Sequence, residues 1–462
     1  MQRQLLNRRG LLGALLAAGA AMPAATASSP AHAAPRRGSG NHPPAVHPQL
    51  SAGPAGDHTA SFQRAIDQAA LAGATLTLPA GHFRVSALKL RPGTRISGAG
   101  TRTVLALAGT GPLLVGDGAH GLAMERVALD AAGQDQSRGD HAGLVEIADS
   151  RDIALQHVTI NAGLNNGIVL QRCQGRIAAC AISGAGLAAL FSRDGRGIQI
   201  ENNRISDCAN NGILVWRTTP GEDATRVSGN HIERIAARAG GSGQNGNGVN
   251  VFRAAGVMVA NNRITDCAYS AVRANAASNV QIIANSASRI GEVALYAEFA
   301  FEGAVIAQNI VDGAAAGISV TNFNVGGRLA VIQGNLIRNL VRREHEPVDK
   351  RGEGIAVEAD ASVTGNTIEG APTAGIVIGW GPHMRDVAAT GNVIRKAGVG
   401  ILVTADPGAG AALIANNLIS GASRGGVRLM AHGQPIGDEL AGLAVSKGRI
   451  AVSGNVSVDT PS

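Results

Sequence analysis

Asparagine recurs just ahead of an apolar residue at positions 203, 230, 262, 285, 309, 335, 366, 392, 417 and 455. From 203 to 417 this spans 214 residues in eight steps, about 27 per step. Representative copies read Ser228-Gly229-Asn230-His231-Ile232, Ala260-Asn261-Asn262-Arg263-Ile264, Thr364-Gly365-Asn366-Thr367-Ile368 and Thr390-Gly391-Asn392-Val393-Ile394. Earlier, degenerate copies place Val127, Val158 and Cys180 in the same column. A fixed period of this length marks stacked units that bury their apolar faces only against one another.

The unit itself is β. Each asparagine is followed by a second apolar segment such as Gly317-Ile318-Ser319-Val320, Gly354-Ile355-Ala356-Val357 or Gly375-Ile376-Val377-Ile378. These short β-branched runs alternate with period 2 between Gly and Asn turns, which excludes a helical solenoid. The pattern predicts an all-β chain, a right-handed single-stranded parallel β-helix with one coil per repeat. About thirteen coils at a strand spacing of roughly 4.8 Å would give a rod on the order of 60 Å long. Asparagine suits the corner because it tolerates a left-handed turn. Its amide can also bond to the asparagine of the next coil, as in stacked ladders.

Composition agrees. Of the 462 residues, 63 are Gly and 45% are hydrophobic, while only 16% are charged. A disordered chain would show the opposite balance. Only 2% are aromatic, which suits a thin core repeated many times. The formal charge of +7 falls to about +4 without Arg3, Arg8 and Arg9 of the leader, and lysine occurs only at 89, 350, 396 and 447. No basic cluster is interleaved with aromatics, so nucleic acid is not an expected partner.

Asn7-Arg8-Arg9-Gly10 opens an apolar run from Leu11 to Ala21, and Ala31-His32-Ala33 supplies a small-residue cleavage site. A basic start, a short apolar run and an A-x-A site make residues 1–33 a signal peptide. The paired arginines point to the twin-arginine export machinery, engaged through residues 7–21. The expected location is periplasmic or secreted. The run is too short for a stable membrane span. Residues 34–56, rich in Pro, Gly, Ser and His, read as a flexible linker. Residues 57–125 are expected to hold an N-terminal cap and the first strands, 126–430 the β-helix, and 431–462 the last coil and a C-terminal cap. A solenoid needs both ends covered. Residues 59–72 predict the capping helix, with Phe62, Ile66 and Ala70 on its buried face.

These features together resemble the pectin-lyase-like β-helix superfamily. With the paired-arginine leader and the asparagine turns, the chain more narrowly resembles a family of twin-arginine-translocated β-helix repeat proteins of unassigned activity. The resemblance covers essentially the whole mature chain and implies fold and export. Proteins of this superfamily include lyases, epimerases and hydrolases of polysaccharides as well as adhesins and scaffolds, so the fold alone implies no reaction.

Aligning the second strands on their inward apolar pairs gives two outward columns. One runs Leu214, Asn250, Arg273, Tyr296, Ser319, Ala356, Val377; the other runs Phe191, Trp216, Phe252, Asn275, Glu298, Thr321, Glu358, Gly379. Groups one coil apart lie within about 5 Å. Two long turns, 236–247 and 341–353, leave the coil ahead of this patch and would wall a groove about four coils wide. Nine of the eleven aromatics fall between 191 and 380. A polar groove with aromatic platforms suits a sugar chain, and the expected partner is an acidic polysaccharide. Arg273, Tyr296, Glu298 and Glu358 are the candidate catalytic residues. Trp216, Asn250, Phe252, Asn275, Thr321, Asn322, His345 and Trp380 are the candidate substrate-binding residues.

Removing the proton beside a uronate carboxylate needs that charge neutralised, a base, and a donor to the leaving oxygen. Arg273 with Asn250 or Asn275 would neutralise, and Tyr296 or Glu298 would move protons, with Arg273 helping Tyr296 to ionise. That is the pattern of a uronate lyase or C5-epimerase. An inverting glycoside hydrolase using Glu298 and Glu358, roughly 9.6 Å apart across two coils, is the alternative. A non-catalytic polysaccharide-binding or envelope scaffold protein, with an unknown bound cofactor as one explanation of folded export, is the other. The acidic residues Asp130, Asp135, Asp140, Glu146, Asp149 and Asp152 would suit calcium, but an Arg-rich, Asp-poor groove argues against a calcium-dependent reaction. No metal ligand set is assigned. Cys173, Cys180, Cys208 and Cys267 are expected to be buried thiols.

Overall fold

The computed structural model describes residues 44–50, 56–134, 142–241, 243–343, 352–441 and 445–458. The expected signal peptide (residues 1–33), Asp135, Asp140 and His345 lie outside the described residues.

Strand pairing is parallel from the first coil to the last, and each strand bonds to its equivalent one coil earlier and one coil later. Each coil contributes three strands. One coil, for example, runs through Val280–Ile283, Ser286–Ser288 and Val293–Glu298, and the next through Glu302–Ala307, Ile310–Asp312 and Ala316–Val320. Corresponding residues stack in register, as in Ile282 on Ile306, Ala287 on Val311 and Leu295 on Ile318. Antiparallel pairing occurs at the C-terminal end, where Val427–Ala431 pairs with Gln434–Ile436 and Val445–Lys447 with Ile450–Ser453. Inside the coils runs one continuous apolar core of Val, Ile, Leu and Ala.

The recurring asparagines form an unbroken ladder. The ten from Asn203 to Asn455 are all buried, and each Nδ2 donates to the Oδ1 of the next, from Asn203 to Asn230 at 3.0 Å through Asn417 to Asn455 at 2.8 Å. The second Nδ2 hydrogen goes to a backbone carbonyl of the preceding coil, such as Asn309 to Ile282 at 2.9 Å. The left-handed residue, however, is the one just before the ladder asparagine. Asn202, Gly229, Asn261, Ala284 and Gln308 have φ between +55° and +66°. Gly and Asn accept that geometry at least cost, which explains the recurring Gly-Asn and Asn-Asn pairs. Cys180 joins the column through its backbone amide, which donates to Asn203 Oδ1 at 2.9 Å.

The helix spans Thr59–Leu71 and buries Phe62, Ala65, Ile66 and Ala69. Ala69, not Ala70, completes its apolar face. Part of the expected linker is ordered, since Ala45–Val46 pairs with Thr75 and Leu76.

A second column explains much of the glycine. Gly212, Gly248, Gly317, Gly354, Gly375, Gly400 and Gly426 follow one another through the coils, with Ala271 and Ala294 in the same row. A Cβ on Gly317 would stand 2.5 Å from the Gly354 carbonyl oxygen and 2.6 Å from Ile337. At its glycine positions the seam leaves no room for a side chain, and it breaks strict alternation. The residue before it therefore points outward, adding a third outward column of Asn247, Ser270, Val293, Ala316 and Glu353.

Candidate active site

On the outward face of the second strands the register places Asn250 on Arg273, Arg273 on Tyr296, and Tyr296 on Ser319. Phe252 stacks on Asn275 and Asn275 on Glu298. Thr321 and Glu358 follow one and two coils on, one residue past the pair Val320 and Val357. Phe191 departs from the expected column. It pairs with Leu214, not Trp216, and is buried. Its ring meets Trp216 edge-on at 5.3 Å, and Trp216 meets Phe252 at 5.6 Å. Phe191 packs diagonally beneath Trp216, whereas Trp216 and Phe252 are register partners.

The face divides into a closed half and an open half. In the closed half Arg273 is 6% exposed and Glu298 1%. Arg273 Nε and Nη2 donate to the two Glu298 oxygens at 2.7 and 2.9 Å, a bidentate pair. Asn275 Nδ2 donates to Glu298 at 2.8 Å, Glu292 lies 3.6 Å from the guanidinium, and the guanidinium covers the Tyr296 ring at 4.8 Å. Burial works against the Arg273 charge, but Glu298 and Glu292 hold it above its ordinary value. The 236–247 turn lies on this knot rather than beside it. Its Gly243 carbonyl accepts from Asn250 Nδ2 at 2.8 Å, and a Cβ on Gly243 would meet the Arg273 guanidinium at 3.3 Å. Asn250 Oδ1 in turn accepts from Trp216 Nε1 at 3.2 Å. Both groups of the expected Arg273–Glu298 machinery are thus engaged with each other beneath a turn.

The open half is a cavity of about 340 Å³ over the Tyr296, Ser319, Ala356 and Val377 positions. Thr321, Asn322, Glu358 and Trp380 line it. Sequence reasoning missed His383, Asn324 and Glu353, which line it too. The signal for the first two lay in turn length. The turns 321–327 and 379–384 rise at the same corner, and both are far longer than the single residue, Glu358, that joins the strands of the coil between them. Glu353 sits in the third outward column, which simple alternation hides.

Electrostatics separate the cavity's ionisable groups. Burial pushes the Glu358 carboxyl above its ordinary value, although the amides of Phe323 and Asn322 and the nearby His383 pull the other way. The Phe323 amide donates to Glu358 Oε2 at 2.6 Å. Asn322 holds the turn in this orientation at φ 72°, in the left-handed region. Burial also pushes the Tyr296 phenol well above its usual value, and Glu298 adds to this; Thr321 and Arg273 offset only part. The expectation that Arg273 would ionise Tyr296 is therefore corrected, because desolvation outweighs the neighbouring cation. A phenol held in its protonated form is a proton donor.

Among the described residues no three His, Cys, Asp or Glu come together as metal ligands. Asp149 is bound to Arg172, and Asp130 accepts from the Ala132 amide and from Asn161. All four cysteines are free and buried, and burial pushes Cys173 and Cys180 up to about 11 and Cys208 up to about 12.

Residues 218–394 match the family model described as right handed beta helix region. The chain is a right-handed parallel β-helix. Residues 114–288 of this β-helix also match the model described as periplasmic copper-binding protein (NosD). No curated protein matches the sequence. Similar solved structures include the A-module of a mannuronan C-5 epimerase from Azotobacter vinelandii, 18% identical, TM-score 0.47, covering 76% of this chain and 96% of that one. The Streptococcus pneumoniae surface adhesin PfbA is 13% identical, TM-score 0.45, covering 83% and 91%. The catalytic unit of an α-1,3-glucanase from Streptomyces thermodiastaticus is 15% identical, TM-score 0.40, covering 94% and 70%. No helix of the described residues is long and apolar enough to cross a membrane.

Proposed function

We propose that this β-helix is an exported protein that acts on a uronate-containing polysaccharide, as a lyase or C5-epimerase, in the cavity around Glu358 and His383. One observation carries the reading: a single cavity brings together a carboxyl biased toward its protonated form, an imidazole, a phenol held protonated and an indole wall. In its protonated form Glu358, with the side-chain amides of Asn322 and Asn324, would hydrogen-bond the substrate carboxylate and favour the enediolate that forms when the C5 proton leaves. His383 would take that proton, and Tyr296 would donate to the leaving oxygen, or to the opposite face of C5 for epimerisation. Trp380 would supply the platform for a sugar ring.

The paired-arginine leader supports export, and the match to a family described as periplasmic is in keeping with it. Among the described residues of this chain no three His, Cys, Asp or Glu come together to hold that family's copper. The Glu298/Glu358 hydrolase lacks support, because Glu298 is locked on Arg273 and has no room to activate water.

Binding without turnover is favoured by one observation. Arg273, the cation best suited to a uronate carboxylate, is already paired. Incubating the mature protein with alginate and with polygalacturonate separates the readings. Ultraviolet absorbance of unsaturated product, or exchange of the C5 proton by NMR, is expected for the parent and lost in His383→Ala and Tyr296→Phe. Binding with no product and no exchange would replace the first reading with the second.

A further inference from the structure

A second cavity of about 770 Å³ opens at the corner after the second strands of the earlier coils, and arginines dominate it. Arg151, Arg172, Arg196 and Arg217 line it against two carboxylates, Asp149 and Asp194. Both carboxylates are already engaged. Asp149 accepts from Arg172 Nε and Nη2 at 2.6 and 2.5 Å, and Asp194 accepts from the Thr218 amide and hydroxyl at 2.7 Å each. Among the described residues Arg151 and Arg196 have no carboxylate partner, and both are exposed. Arg217 is anchored by Nη1 on the Gly195 carbonyl at 3.2 Å, while its buried Nε has no partner. One coil further on, Arg253 donates to the Thr218 carbonyl at 3.0 Å and covers the Phe252 ring at 4.7 Å.

Successive coils therefore present guanidinium groups along one edge, at steps of roughly 4.8 Å. We infer that this edge is a binding lane for an acidic polysaccharide, engaging consecutive carboxylates or sulfates of the chain. A 1→4-linked uronate chain carries one carboxylate per sugar, a spacing close to the coil rise. The lane runs beside Trp216 and Phe252, whose column reaches Glu358 five coils later, about 24 Å away. Sugars held by the lane would belong to the same chain that enters the Glu358 cavity. Duplex nucleic acid fits less well, because its charges fall every ~1.7 Å of axis, far denser than the steps of the lane. The lane's role in catalysis rests on the proposed function; its binding of polyanion does not.

The test is affinity electrophoresis of the mature protein in gels containing polygalacturonate, dextran or duplex DNA. The mobility shift in polygalacturonate should fade with added salt and be absent in dextran. In Arg151→Gln/Arg196→Gln, which removes two unpaired cations without touching a core residue, the dissociation constant should rise about tenfold, a partial value for two solvent-screened contacts. Equal binding by parent and variant, an equal shift in dextran, or tighter binding of DNA would overturn the lane. Turnover then addresses the link to the cavity. The variant should raise KM for polymer and leave short oligosaccharides unchanged. Loss of polymer binding in a protein that never turns over would keep the lane and sink only the catalytic reading.

Discussion

Replacing Asn309 by alanine tests the ladder that sets the register of every coil. Asn309 is 1% exposed and makes four side-chain bonds. Its Nδ2 donates to the Ile282 carbonyl and to Asn335 Oδ1 at 2.9 and 3.0 Å, and its Oδ1 accepts from the amide and Nδ2 of Asn285 at 2.9 and 3.1 Å. Alanine would strand the Asn285 amide and one Asn285 side-chain hydrogen, while the Ile282 carbonyl, paired in the strand ladder, would lose only its second donor. Asn335 Oδ1 would keep the Asn309 amide, which donates to it at 2.9 Å. Each buried orphan costs about 1–3 kcal/mol. At about 2 kcal/mol each the total is about 4 kcal/mol, a large part of an ordinary domain's stability. Urea unfolding of the mature protein followed by circular dichroism reads the loss directly. Gln308→Gly is the matched control. It leaves the ladder intact and relieves a left-handed backbone at φ 59°, so stability should hold or rise by up to about 1 kcal/mol. An Asn309→Ala protein within about 1 kcal/mol of the parent would refute the view that the ladder holds the corners.

Three further outcomes follow from the site and the seam. Arg273→Ala should destabilise by about 3–5 kcal/mol, because it leaves Glu298 buried and uncompensated, and Arg273→Met/Glu298→Leu should recover most of that in the same unfolding assay. Glu358→Gln should slow turnover, because an amide is a weaker donor to the substrate carboxylate than a carboxylic acid, yet raise stability at neutral pH. The folded carboxyl titrates above its unfolded value, so ionisation opposes folding as pH rises through that range, and the gain should vanish below the unfolded pKa when thermal midpoints are compared across pH. Gly317→Ala should cost about 1–3 kcal/mol by overpacking, whereas Ala294→Gly, at a seam position that already holds a methyl group, should cost less; thermal melts of the two variants compare them.

What could be read from sequence followed the physics of repetition. Period, strand type and the Asn-to-Asn bonding at 203–455 are properties of the chain read along one dimension, so the coil and its ladder were legible. The outward columns through Asn250, Arg273, Tyr296 and Glu298 were legible for the same reason. Whether those groups meet solvent was not, since that depends on where the 236–247 turn comes to rest and on which partner Arg273 chooses. A register read from alternation alone also placed Phe191 one pair too far along, and it hid Glu353 behind the glycine seam. His383 escaped because it sits in a turn, where no periodicity points to it.

Because each ladder asparagine both receives from the coil before and gives to the coil after, every coil presents its successor with the same docking edge. Removing a whole turn of chain, such as residues 286–309, would set Asn285 against Asn335 and close the ladder again; duplicating one would extend it. Length is thus a dimension in which genes of this design can change by in-frame duplication or loss without first solving a new packing problem, while the long turns that build the cavity are free to diversify on whichever coils carry them.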